Sequence, residues 1–264
     1  MGEYLRSLAL IARAQQAACS AREAQPLGTG QLTASREYGM PPLSAQAHER
    51  SATWREDLAD IVGRMRPAPL NGIEQALAAV SGADDAELES LADRVLAGTT
   101  LDTDAAVVPF VGAALQVYFT RLAAGLEAEV VSHCDVATIC PVCGTRPVAS
   151  VVCIGAERAN LRYLSCALCA SEWHMARVQC SSCASDKGLH YLSIEVEGRS
   201  PERSAARAET CDECRSYLKI FYREADAGIE PAADDLATLA LDLMVDGRGY
   251  LRSGPNLLLH PGST

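Results

Sequence analysis

CPVC at residues 140–143, CALC at 166–169, CSSC at 180–183 and CDEC at 211–214 gather eight of the chain's eleven cysteines into four Cys-x-x-Cys pairs. A Cys-x-x-Cys turn sets two thiolates on one side of a tight loop, and two such turns facing each other supply the four soft ligands of a tetrahedral metal site. Four pairs therefore predict two closed sites and two metal ions per chain, with Cys140, Cys143, Cys166, Cys169, Cys180, Cys183, Cys211 and Cys214 as ligands. One pair alone reads equally well as a redox dithiol; four in one stretch have no compositional explanation.

Between and after the pairs the pattern is one of short strands. Residues 147–154 and 161–165 flank a turn around 155–160, residues 189–196 precede a polar tip at 198–207, and 217–222 follow the fourth pair. Trp173 and Met175 alternate with His174 and Ala176. The unit Cys pair, hairpin, Cys pair, strand thus occurs over residues 140–179 and again over 180–223. Twenty-two residues separate Cys143 from Cys166 and 27 separate Cys183 from Cys211, room for a hairpin, whereas ten separate Cys169 from Cys180. The first pair is expected to share its ion with the second and the third with the fourth. Gly144 follows the first pair, where a left-handed backbone is wanted; Ala170, Ala184 and Arg215 follow the others, which predicts looser sites or altered turns there.

The first 139 residues carry helical periodicity. Tyr4, Leu5, Leu8, Leu10 and Ile11 form one apolar face and Leu58, Ile61, Val62 and Met65 another, ended by Pro67 and Pro69. Asn71 is placed to cap a helix with Ile73, Leu77 and Val80 inward, and Asp84 and Asp85 open one with Leu88, Leu91, Val95 and Leu96, stopped by Gly98. The longest helix is expected from Asp102 or Thr103 toward His133; its first half is apolar nearly all round, as a central helix would be. Beyond the ribbons, residues 232–245 read as one helix with Leu236, Leu239, Ala240 and Leu243 on its packing side, before an extended tail.

The expected fold class is α+β: a helical bundle (1–139), two tandem rubredoxin-like or zinc-ribbon units (140–179 and 180–224) and a C-terminal helix with its tail (225–264). The formal charge of −11 is uneven. Residues 1–139 hold ten Lys/Arg against eighteen Asp/Glu, 140–224 hold eleven against ten, and 225–264 hold two against six. No region has the basic footprint that displaces counterions from nucleic acid, so nucleic-acid binding is not expected. The longest apolar run, 105–119, is too short to span a bilayer and contains Pro109 and Gly112, so no membrane insertion is expected. Residues 1–18 lack a basic leader pattern, since Glu3 and Arg6 cancel, and read as a helix of a cytoplasmic protein. In a reducing compartment the thiols stay free to bind metal. Cys19, Cys134 and Cys153 read as small buried apolar residues.

Four thiolates suit zinc or a rubredoxin-like iron, so the ion stays open. Zinc would contribute roughly 10 to 16 kcal/mol of apparent binding energy to folding, and iron could also change oxidation state. Eight cysteines already satisfy two sites, so His174 and His190 are read as ordinary strand residues and Trp173 as core. No Ser/His/Asp set or phosphate loop occurs, and Asp234/Asp235 sit where capping of a helix start explains them. An enzyme is not indicated.

CPVCGTRPVASVV (140–152), LRYLSCALCASEWHMARVQCSSC (161–183), GLHYL (188–192), ETCDECRSYLKIFY (209–222) and DDLATLALD (234–242), taken in order, resemble the formate dehydrogenase accessory protein FdhE family. GEYLRSLALIARAQ (2–15) and GMPPL (39–43) extend the likeness more weakly into the helical half, and the family pattern carries a further stretch ahead of the first of these. The resemblance implies a cytoplasmic, non-catalytic maturation factor that acts on the catalytic subunit of a respiratory formate dehydrogenase before twin-arginine export. It implies iron as the metal on the eight cysteines named above, and it marks no client-binding surface. A rubredoxin-like electron-transfer protein and a structural zinc-ribbon adaptor for another partner are the competing readings; self-association into a homodimer is left open.

Overall fold

Among the described residues, apolar positions spaced three and four apart build the first part of the chain into six helices: α1 (Gly2–Ser20), α2 (Thr29–Tyr38), α3 (Thr53–Met65), α4 (Glu74–Gly82), α5 (Asp85–Ala97) and α6 (Val108–Ala124). The computed structural model describes residues 2–23, 26–66, 73–131, 136–154, 160–194 and 204–259. The chain divides into two units, Met1–Ser132 with Leu257–Thr264, and His133–Asn256.

In the first unit α6 is the centre. Val111, Ala113, Ala114, Leu115 and Phe119 are fully buried on it, and α1, α3 and α5 pack around it. It starts later and ends earlier than the periodicity suggests. Pro109 lacks an N–H and sits in the first turn, where that donor has no helical partner, while residues 102–104 form only a short 3-10 turn. Gly125 closes the helix, so it does not run toward His133, which lies outside the described residues. On α1 the buried stripe is Leu8, Ile11, Ala14 and Ala18, whereas Leu5 is exposed. On α3, Leu58, Ile61, Val62 and Met65 are buried as the spacing predicts, joined by Trp54. Asp84 caps α5 through a reciprocal box with Glu87, each side chain accepting the other's backbone N–H at 2.9 Å, and Gly98 ends the helix in the left-handed region. Pro67, Pro69 and Asn71 lie outside the described residues.

Charge is buried here in matched form. Asp57 on α3 takes a two-pronged bond from Arg121 on α6 (3.1 and 2.6 Å) and another from Arg22 just past α1 (3.0 Å). The tail returns to this unit: Leu257 and Leu258 are buried, and a Cβ on Gly112 would collide with the Leu257 carbonyl oxygen. Only glycine admits that approach.

Among its described residues the second unit holds a seven-stranded mixed sheet, β1 (Pro147–Val152), β2 (Arg162–Cys166), β3 (Glu172–Met175), β4 (Leu189–Leu192), β5 (Ala206–Cys211), β6 (Ser216–Tyr222) and β7 (Leu251–Arg252), in the order β3-β2-β1-β6-β5-β4, with β7 also on β6. The sequence repeat is a structural repeat. Each half is a three-stranded antiparallel meander, and the two join where β1 pairs parallel with β6, from Ser150 opposite Ile220 to Val152 opposite Tyr222. At this seam β1 is buried along its whole length and β6 nearly so, as strands covered on both faces must be.

The C-terminal helix is two helices, α7 (Pro231–Ala237) and α8 (Leu239–Asp246), not one. Thr238 breaks it: its backbone leaves the helical region (φ −112°, ψ 32°) and its hydroxyl donates to the Asp234 carbonyl at 2.7 Å. The break turns the packing face of α8 to Leu241 and Val245, which meet Ala208 and Tyr217 of the sheet, and leaves Leu243 exposed.

Candidate metal centres

The second and fourth Cys-x-x-Cys turns each join two strands, the first and third precede one, and three of the four are closed the same way. The N–H of the first cysteine donates to the carbonyl five residues on: Cys140 to Thr145 at 2.9 Å, Cys166 to Ser171 at 2.9 Å and Cys180 to Ser185 at 2.7 Å. In the fourth turn Cys211 is the ladder partner of Ser216. Inside the turns, backbone N–H groups point at sulfur: Leu168 and Cys169 donate to Cys166 Sγ (3.3 and 3.4 Å), and Ser182 donates to Cys180 Sγ (3.3 Å). The residue after each pair is left-handed in all four, with φ of 76° at Gly144, 55° at Ala170, 60° at Ala184 and 54° at Arg215. The altered turns expected from the missing glycines do not occur. Strands on both sides close the turns at Ala170 and Arg215, and backbone bonds between Cys180 and Ser185 and between Ala184 and Cys180 close the one at Ala184, so the three residues bearing a Cβ are carried into the left-handed conformation at roughly 1–2 kcal/mol each.

The turns converge in the expected pairs. Cys140, Cys143, Cys166 and Cys169 form one group and Cys180, Cys183, Cys211 and Cys214 the other, the sulfurs of each lying within 4.8 Å of one another. Cys140–Cys169 and Cys143–Cys166 are 3.6 and 3.3 Å apart; Cys180–Cys214 and Cys183–Cys211 are 3.7 and 3.8 Å. Ligands at about 2.3 Å from a tetrahedral ion stand about 3.8 Å from each other, whereas a disulfide would need about 2.0 Å. The donor set and its spacing fit a metal ion in each group.

Protons are held unevenly by these thiols. In the first group burial pushes Cys166 up, hydrogen bonding from Cys140 pushes Cys143 up, and bonds from Cys140, Cys143 and Cys166 hold Cys169 low. In the second, burial drives Cys180 up to about 12, while Cys214, against the burial that acts the other way, is drawn down to about 7 by Ser216 and neighbouring thiols. An ion taking four thiolates displaces the remaining protons.

His174 is exposed on β3 with its ring edge-on to Tyr163, and His190 is exposed on β4 and bonds Asp212 at 3.0 Å; neither joins a cysteine group. Trp173 is buried and donates from Nε1 to the Ala137 carbonyl at 2.8 Å. Cys153 is buried, Cys19 is half-buried, and Cys134 lies outside the described residues.

Two buried charge clusters around the centres have no counterpart in the sequence reading. Lys219 on β6 is fully withdrawn from water between Asp235 and Asp242, which Arg252 also bridges. Asp234 acts near the helix start as expected, accepting the Glu230 N–H at 2.7 Å, but Asp235 beside it is wholly buried, so capping explains only one of the two. The available signal was the seven-residue step from Asp235 to Asp242, opposite a lysine inside an otherwise apolar strand. The other cluster joins Arg162 to Glu209, whose carboxyl is pushed up by burial.

Family models match nearly the whole length of this architecture: the FdhE N-terminal model covers residues 1–134, the FdhE central domain 139–177 and the FdhE C-terminal domain 178–259. A protein named FdhE homolog from Pseudomonas aeruginosa is 44% identical over 99% of this chain and 85% of its own length. Another so named, from Pseudomonas putida, is 38% identical over 99% of this chain and 83% of its own. The crystal structure of the FdhE protein from Pseudomonas aeruginosa superposes with a TM-score of 0.90 at 43% identity, covering 100% of this chain and 91% of that one.

Proposed function

The chain belongs to the FdhE family, and from that premise we propose that it is a non-catalytic accessory factor that binds the catalytic subunit of a respiratory formate dehydrogenase in the cytoplasm and assists its assembly before export. In this reading the eight cysteines of the two groups are the metal ligands. Iron is the ion that the family resemblance favours, and zinc fits the same donors. The two Cys-x-x-Cys turns of each group would together hold the ion, and iron would add a one-electron couple.

The observation that carries the reading is the convergence of all eight cysteines into two four-sulfur groups in a chain matched from end to end by one family. Among the described residues no helix is long and apolar enough to cross a membrane. The helical part, with ten basic against eighteen acidic residues, favours a client with a basic patch and makes encounter depend on salt. A twin-arginine leader is one such patch.

The test is capture of the catalytic subunit, with and without its leader, by anaerobically prepared, metal-loaded protein at low and high salt. Association that weakens as salt rises is the expected result. No association under any of these conditions would remove the proposal and favour an adaptor for a different partner. Metal analysis and the absorption spectrum of the same preparation separate iron from zinc.

A further inference from the structure

We propose that the two four-cysteine groups are unequal in kind: the second, Cys180, Cys183, Cys211 and Cys214, is an exchange site whose ion accepts an incoming thiolate or chelator, while the first holds its ion permanently. This rests on the reading that both groups bind metal. In the first group every cysteine is buried, from 0% exposure at Cys140 to 4% at Cys166. The residues inside its turns make an apolar lid, with Val142, Ala167 and Leu168 all buried and Pro141 half-buried. In the second group the corresponding residues are Ser181, Ser182, Asp212 and Glu213. Ser182 is half-buried and both acids are exposed, as is Cys183 itself, and Cys214 is half-buried.

Ligand exchange at a four-coordinate ion begins when a fifth donor reaches it, so the rate follows the open path to the metal more than the strength of the four bonds. A shell of Val, Ala and Leu side chains closes that path and keeps water out; a shell of serine and carboxylate does not. Cys183, the exposed cysteine of the group, marks the open side. An incoming thiol that binds there gives up its proton, and the departing Cys183 thiolate takes one up, so charge and protons balance without any oxidant. The negative charge of Asp212 at the entrance is offset by Arg215 at 3.4 Å and engaged by His190 and Tyr250, which lessens its repulsion of an anionic donor.

The full chain loaded with zinc and mixed with excess 4-(2-pyridylazo)resorcinol reads the difference directly. Two ions per chain should leave in two phases of equal amplitude, with rates at least about tenfold apart. Ser182→Leu, which copies the lid of the first group, should slow the fast phase alone, and Leu168→Ser should speed the slow phase alone. A single phase for both ions would overturn the inference, and so would a Ser182→Leu protein that releases both ions as the parent does. Fewer than two zinc ions bound by the parent protein would instead remove the two-site reading on which it stands, and the inference with it.

Discussion

Arg162 on β2 reaches across the seam of the sheet to Glu209 on β5, donating to its carboxylate at 2.8 Å with both side chains almost wholly out of water. Strands β1 and β6 lie between them. The same guanidinium donates to the Ser150 hydroxyl on β1 (2.6 Å) and to the Gln179 carbonyl (2.8 Å), the residue before Cys180. One side chain therefore fastens the strand that ends in Cys166, the segment that leads into Cys180 and the strand that ends in Cys211. Both cysteine groups depend on elements it holds.

Arg162→Met should destabilise the metal-loaded protein by about 3–5 kcal/mol, because it leaves the Glu209 carboxylate buried without its cation. Adding Glu209→Gln should restore most of that loss, since the double variant buries no unpaired charge. Urea unfolding of the parent, the single and the double variant checks this. A single variant within about 1 kcal/mol of the parent would show that the pair contributes little.

Replacing Cys140 and Cys143 together by Ala should halve the bound metal and loosen the β1–β2 hairpin, leaving the ion of Cys180, Cys183, Cys211 and Cys214 in place. The two groups share no cysteine, and each closes its own meander. Metal content per chain reads the stoichiometry, and hydrogen exchange reads the hairpin. Unchanged stoichiometry would refute the ligand assignment.

The cysteine spacing exposes both groups and their partners because ligand pairing there is nearly local: each hairpin brings its own two turns together. The α5 boundaries are legible for the same reason, since Asp84, Glu87 and Gly98 act within one or two turns. What sequence did not reveal is the parallel pairing of β1 with β6, about 70 residues apart in the chain. Nothing in 150–152 or 220–222 names its neighbour. Thr238 hid the break between α7 and α8, since a hydroxyl turning back on the Asp234 carbonyl leaves no mark in the apolar pattern. Asp235 looked like a helix cap because its true partners, Lys219, Arg252 and Asn256, come from other elements.

Ala170→Gly and Ala184→Gly should each raise the stability of the metal-loaded protein by roughly 0.5–1 kcal/mol. Both residues hold a left-handed φ that a Cβ disfavours by about 1–2 kcal/mol, and the freer unfolded chain of the glycine variant offsets part of the gain. Arg215→Gly should not follow suit. It removes the stacking on Tyr250 (4.1 Å from the guanidinium carbon to the ring centre) and bonds to the Arg248 and Gly249 carbonyls. Thermal midpoints of the three variants separate the cases; a loss at both alanines would mean that φ there is not a source of strain.

His48 should tie the helical unit's stability to pH. Its Nδ1 faces the Gln31 amide at 3.0 Å, its Nε2 faces the Tyr118 hydroxyl at 3.1 Å, and that hydroxyl accepts the Ser51 N–H at 3.1 Å. The network is complete with a neutral ring: the amide donates to Nδ1 and Nε2–H donates to tyrosine. Burial holds the ring's pKa below its ordinary 6.5; Arg50 acts the same way and Glu49 opposes both. The unfolded chain therefore takes up the proton first as pH falls. The stabilising contribution is complete above about pH 6.5, declines as pH drops from there through the folded value, and is constant below it. His48→Gln should flatten that decline, a comparison in which acid loss of metal affects both proteins alike. The ring proton signals should show His48 titrating below its ordinary 6.5. A His48 midpoint at or above 6.5, or equal slopes for parent and variant, would rule this out.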